Sequence, residues 1–302
     1  MIRIPKPINR YLFHPLQAVT AVVVFTIFRT LSIDMASDLG GWLCRTIGPH
    51  LGISRLAVKN LRAAFPEKSE TDIAAIVRGM WDNLGRVAAE YPHLGKIVVG
   101  GDDGRVEFIG SEYVDLLRVD DTPGIFFSGH LGNWEIVSLG ATQLVVPLDR
   151  VYREANNRLV EWLFQHGRDA VEGALIPKGP AGARALLKSL KSGRHLGMLV
   201  DQKMNDGIPV PFFGRDVMTA PALAELALRY DCPVVPARIT RLEGARFRLT
   251  VFAPMDLIRT GDHQADVAAN MAQVNALIEQ WVRDTPEQWL WLHNRWPDEI
   301  AN

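Results

Sequence analysis

The chain has 302 residues, 48% hydrophobic and 22% charged, with 25 glycines, 18 prolines and two cysteines. That composition excludes a disordered tail, a collagen-like repeat and a disulfide scaffold, and the length suits one large α/β domain or two small ones. The formal net charge of −1 hides an asymmetry: residues 1–62 carry eight Lys/Arg against Asp34 and Asp38, a basic front end that points to attachment rather than to nucleic-acid binding.

Between Pro15 and Phe28 there is no charged residue. This run of about 14 residues is short of the roughly 20 that a single span needs. Flanked by Arg3, Lys6, Arg10 and Arg29, it reads as a short membrane-embedded or interfacial helix, with a buried soluble helix as the alternative. A cleaved signal peptide is disfavoured because no small-x-small site follows. If the run spans, Arg29, Arg45, Arg55, Lys59 and Arg62 after it keep the large body in the cytoplasm. Residues 38–48 form a second amphipathic stretch with Leu39, Trp42, Leu43 and Ile47 on one face. Residues 1–50 are therefore expected to be a membrane-associated helical segment and 51–302 the body.

A helical block covers about 54–92, broken at Phe65-Pro66 and restarted with Ser69 or Thr71 as N-cap. From Val106 onward short apolar runs alternate with longer amphipathic ones: 124–127 then 134–144, 150–152 then 156–168, 174–176 then 180–191, 195–200 then 219–230. Residues 233–240 and 246–252 read as neighbouring strands, and a last helix covers about 264–284. This is an α/β pattern: a mixed, mainly parallel sheet flanked by helices, with ligands expected at the carboxyl ends of the strands. Pro211-Phe-Phe-Gly214 lacks periodicity and reads as a loop, suited to lining an apolar channel or filling the core. Trp289, Trp291 and Trp296 read as core or interface packing.

The sequence Phe126-Phe-Ser-Gly-His130-Leu-Gly-Asn-Trp-Glu135 has the strongest chemical logic. An apolar strand runs into a Gly-flanked turn and then a helix, so His130 stands at a strand end and Glu135 in the first helical turn. A carboxylate there is expected to reach the imidazole and hold one tautomer, which makes His130 a general base for a hydroxyl or amine. Ser128 is not in a Gly-x-Ser-x-Gly elbow. The other histidines show no His-x-x-x-His pairing and the two cysteines, Cys44 and Cys232, read as buried thiols, so no metal is expected.

His130-Leu-Gly-Asn-Trp-Glu135 resembles the His-x4-Asp/Glu signature of the lysophospholipid and glycerolipid acyltransferases, in the form found in the bacterial lipid A secondary acyltransferases. Val151-Tyr-Arg153 with Asn156, Val200-Asp201-Gln202, Pro211–Gly214 with Thr219-Ala-Pro221, and Gln288–Trp296 resemble further blocks of that family in the same order. The resemblance implies a glycerolipid-acyltransferase-like fold. It also implies an O-acyltransferase without a covalent acyl-enzyme and without a cofactor. The donor is then an acyl carrier protein thioester and the acceptor a hydroxyl of a lipid A precursor, at the cytoplasmic face of the inner membrane. In that reading His130 deprotonates the hydroxyl, Glu135 orients it, Arg153 stabilises negative charge or grips a phosphate, and Asp201 organises Arg153 or Lys203. Lys178, Arg184, Lys203 and Arg215 are further phosphate contacts to weigh. Two other readings compete: an acyl-CoA-dependent enzyme acting on another glycolipid such as a phosphatidylinositol mannoside, and a membrane-tethered lipid-binding protein whose His–Glu pair is structural.

Overall fold

The computed structural model describes residues 13–101, 104–119, 122–152, 154–155, 157–177 and 179–296. The apolar run forms α1 (His14–Thr30), followed by α2 (Ile33–Ile47), α3 (Ser54–Ala64) and α4 (Glu70–Glu90). The Ser32 hydroxyl accepts from the Met35 N–H to start α2, and Ser69 opens α4 in a capping box with Asp72. Helices α2 and α4 cross where Gly40 meets Gly85. A Cβ on Gly40 would stand 2.5 Å from the Gly85 carbonyl oxygen, so the crossing needs residues without side chains.

The body runs β1 (Val106–Ile109), α5 (Ser111–Val119), β2 (Ile125–Ser128), α6 (Glu135–Gln143), β3 (Leu148–Tyr152), α7 (Arg158–Gly167), β4 (Leu175–Pro177), α8 (Pro180–Lys191) and β5 (His195–Leu199). It continues through β6 (Ile208–Phe212), β7 (Arg215–Thr219), α9 (Ala222–Tyr230), β8 (Val234–Arg241), β9 (Phe247–Val251) and α10 (His263–Asp284). Seven strands form one sheet in the order β1-β9-β8-β2-β5-β3-β4, parallel throughout except for the antiparallel pair β8/β9. The chain is thus α/β with a mixed, mainly parallel sheet. All four residues of the central strand β2 are buried, because both faces of the sheet are covered. On one face Ile136 and Leu139 of α6 pack on Ile239, Phe247 and Leu249. On the other, Val274, Ile278 and Trp281 of α10 pack with Phe127, Met198 and Val234.

The expected loop at 211–214 is instead the end of a two-stranded hairpin, β6 against β7. Its tip is Phe213-Gly214, both at positive φ (52° and 68°), as a tight primed turn requires. Ile208, Val210 and Phe212 turn inward while Pro209 and Pro211 lie exposed, so the prolines that hid the period-2 pattern sit where a strand tolerates them. Among the described residues no helix is long and apolar enough to cross a membrane. Helix α1 nevertheless exposes Leu16, Val19, Val23 and Ile27.

Candidate active site

Strand β2 ends at Ser128 and α6 begins at Glu135, so residues 129–134 form the turn at the carboxyl edge of the sheet. Asp201, just past the end of the neighbouring strand β5, is 1% exposed. Its Oδ1 lies 2.7 Å from His130 Nδ1, and its Oδ2 accepts the His130 backbone N–H at 2.7 Å. A carboxylate only accepts, so the proton of the neutral ring sits on Nδ1 and Nε2 carries the lone pair. Burial opposes ionisation of Asp201, but the charge and N–H groups of His130 outweigh it and hold the carboxyl well below its usual range. His293, whose Nε2 lies 3.3 Å from the Asp201 carbonyl oxygen, has its pKa pushed down by burial. The turn depends on two glycines. Gly132 has φ +51°, and a Cβ on Gly129 would press to 3.2 Å from Asp201 Oδ2.

Glu135 does not hold the imidazole. Its Oε2 and Oε1 accept from Arg168 Nε at 2.9 Å and Nη2 at 2.6 Å, a two-pronged ion pair. As the first residue of α6 it projects toward the segment that follows α7, whereas Asp201 comes to His130 from the adjacent strand. The Arg168 guanidinium also lies 5.5 Å from the Tyr91 ring centroid and 5.2 Å from that of Tyr152. Burial raises both phenol pKa values, that of Tyr152 to about 12, so neither is a base near neutral pH.

His130, Glu135 and Arg168 share the wall of one cavity of about 340 Å³, which Gln202 also lines. Gln202 Nε2 is 3.4 Å from His130 Nε2, beside the position a reacting hydroxyl would take. The cavity wall includes the buried Arg150 as well, so two guanidinium groups face one carboxylate there. Its lining also includes the apolar side chains of Phe126, Val137, Leu148 and Leu175.

Residues 9–298 match the family described as bacterial lipid A biosynthesis acyltransferase. The chain belongs to that family. The lipid A biosynthesis palmitoleoyltransferase of Escherichia coli (strain K12) is 26% identical over 249 residues, covering 80% of this chain and 77% of that protein. The lauroyltransferase of the same organism is 24% identical over 258 residues (80% and 78% covered), and its myristoyltransferase 26% over 258 (82% and 77%). The solved structure of the 1-acyl-sn-glycerophosphate acyltransferase from Thermotoga maritima aligns at TM-score 0.39 and 14% identity, covering 92% of this chain and 99% of that one.

In this lipid A acyltransferase family member, Arg153, Asn156 and Lys178 lie outside the described residues. Arg184, Lys203 and Arg215 do not line the cavity. Asp201 binds His130; its expected link to Arg153 lies outside the described residues. Sequence reasoning missed Arg168, which follows α7 in no motif and reaches the site only because α7 returns the chain to the same sheet edge. It also gave Trp289 only a packing role, although the indole Nε1 donates to Asp201 Oδ2 at 2.7 Å.

The turn that carries His130 is held by a buried polar network. Asn133 donates to Glu90 at 2.8 Å, Arg241 pairs with Glu90, and Asn83 donates to the Gly132 carbonyl at 3.0 Å. Among the described residues no group of three or more His, Cys, Asp or Glu side chains is arranged to hold a metal ion.

Proposed function

We propose that this acyltransferase moves a fatty acyl chain from an acyl carrier protein thioester to a hydroxyl of a lipid A precursor, with His130 as general base. The observation that carries the reading is the His130–Asp201 pair, with Nδ1 held by a buried carboxylate and the residue in the wall of a large cavity. The acceptor hydroxyl gives its proton to Nε2 as its oxygen attacks the thioester carbonyl. The tetrahedral oxyanion collapses, the carbon–sulfur bond breaks, and the departing thiolate takes the proton from the imidazolium. Asp201 stabilises the imidazolium while it lasts, and a thioester is already activated, so the cycle requires no acyl-enzyme. The guanidinium groups of Arg150 and Arg168 make the cavity favourable to the negative charge that develops on the carbonyl oxygen or that a phosphorylated acceptor brings.

The acceptor is a lipid, and two helices offer it a surface. Asn157, just before α7, donates to the His14 carbonyl and to Gln17 Oε1, tying α7 to α1. Next to the apolar face of α1, α7 exposes Leu159 and Trp162. We assign this joint face to the cytoplasmic surface of the inner membrane, with α1 lying in the interface and a water-soluble carrier protein approaching from the cytosol.

Two measurements test the reading. Mass spectrometry of lipid A from a deletion strain should show loss of one secondary acyl chain. Purified His130→Ala should fold and turn over roughly 10²–10⁴-fold more slowly. Full activity in that variant would instead make the protein a lipid binder, and unchanged lipid A would reassign the acceptor to another glycolipid.

A further inference from the structure

The four tryptophans of largest burial are Trp281, Trp289, Trp291 and Trp296, and three of them fall in the last stretch of the chain. Their rings interlock: Trp289 meets Trp291 edge-on at 4.5 Å, and Trp291 stacks on Trp296 at 6.2 Å. By packing alone the three are equivalent. Their polar atoms are not. Trp291 Nε1 donates to the Pro286 carbonyl at 2.7 Å, Trp296 Nε1 has no partner among the described residues, and Trp289 Nε1 donates to the carboxylate that pairs with His130.

We infer that Trp289 is a positioning residue for the general base, acting through Asp201. This rests on His130 being that base. Asp201 Oδ2 receives two donors, the Trp289 indole and the His130 backbone N–H, both at 2.7 Å. Together they fix the plane of the carboxylate, and that plane decides whether Oδ1 points along the Nδ1–H bond. A carboxylate torsion is otherwise broad and roughly two-fold, so with one donor removed the group swings and the ring loses its orientation. The indole itself cannot drift. Leu290 N–H donates to the His130 carbonyl at 3.1 Å, Gly132 N–H donates to the Gln288 carbonyl at 3.0 Å, and Leu131 and Trp289 form a bridge between them. The C-terminal segment is thus pinned to the same turn that carries His130, and it returns a hydrogen-bond donor to the acid behind it.

The test is Trp289→Phe beside two matched variants, Trp291→Phe and Trp296→Phe, all assayed as full-length protein with acyl carrier protein thioester and lipid acceptor. Trp289→Phe should lower kcat roughly 10–100-fold with KM changed little, the size expected for a misdirected catalytic group. The two matched variants should lose comparable thermal stability and keep kcat. If Trp289→Phe does not fold, replacing Trp289 with β-(3-benzothienyl)alanine keeps the bicyclic shape and removes only the donor, with the same expected fall in kcat. A kcat indistinguishable from that of Trp291→Phe would overturn the inference. Should His130→Ala retain full activity, the base assignment itself falls, which is a separate result.

Discussion

Three charged side chains near the catalytic turn do different work, and substitution separates them. Asp201→Asn keeps the shape but takes the carboxylate from Nδ1, so kcat should fall by about the 10²–10⁴ that losing an oriented base costs. Glu135→Gln leaves the buried Arg168 guanidinium without its counter-charge; the two side chains are 8% and 15% exposed. Breaking a buried pair in this way should cost about 3 kcal/mol of stability, measured by urea unfolding. The titration of Asp201 adds a pH signature. Its carboxyl is depressed in the folded protein, so its stabilisation is present above the unfolded value and is lost as pH falls through the folded one. The stability gap between the wild type and Asp201→Asn should therefore be present above about pH 4 and shrink below it. A gap that widens below about pH 4 would contradict that assignment.

At the scale of elements, the edge of the sheet explains why chemistry collects where it does. Strands β2, β5 and β3 end side by side and deliver Ser128, Leu199 and Tyr152 to one rim, with His130 and Asp201 just beyond. The cavity beside His130 is lined in part by Phe126, Val137 and Leu148, and these same residues line a second, wholly apolar cavity of about 30 Å³ with Ala141, Leu144 and Val146. In the proposed reaction this wall, shared by the two cavities, is where an acyl chain entering the first would stop. Phe126→Ala should join them and move the preferred donor to a longer chain, read by mass spectrometry of products from a mixture of acyl donors. The truncation should cost about 3–5 kcal/mol, since Phe126 is buried. An unchanged chain-length preference in a folded variant would place the acyl tail elsewhere.

On the scale of the whole molecule, the exposed apolar face of α1 and the exposed Leu159 and Trp162 of α7 lie on connected elements, in a chain whose first 62 residues are net basic. That arrangement predicts binding to anionic vesicles without a spanning segment. The double variant Leu159→Glu, Trp162→Glu should cut vesicle co-sedimentation by about 10-fold or more, given the apolar area each side chain would otherwise bury. Turnover of a short-chain, detergent-dispersed acceptor should be unchanged, because neither residue touches the cavity. Equal vesicle binding by the variant would remove α7 from the membrane face.

Local pattern was enough to read the architecture. The alternation of short apolar runs with amphipathic ones specifies strands and helices through their periods, and an imidazole straight after the central strand had to stand at the edge of the sheet. The hairpin β6/β7 escaped notice because its outward prolines masked the period-2 signal. Which acid serves His130 was a different kind of question. Glu135 is five residues away in the chain yet faces Arg168, while Asp201 and Trp289 come from 71 and 159 residues downstream to meet at one carboxylate. Hydrogen-bond partners are chosen by direction and distance in space, and those follow from strand order and helix packing, so only the folded chain could decide them.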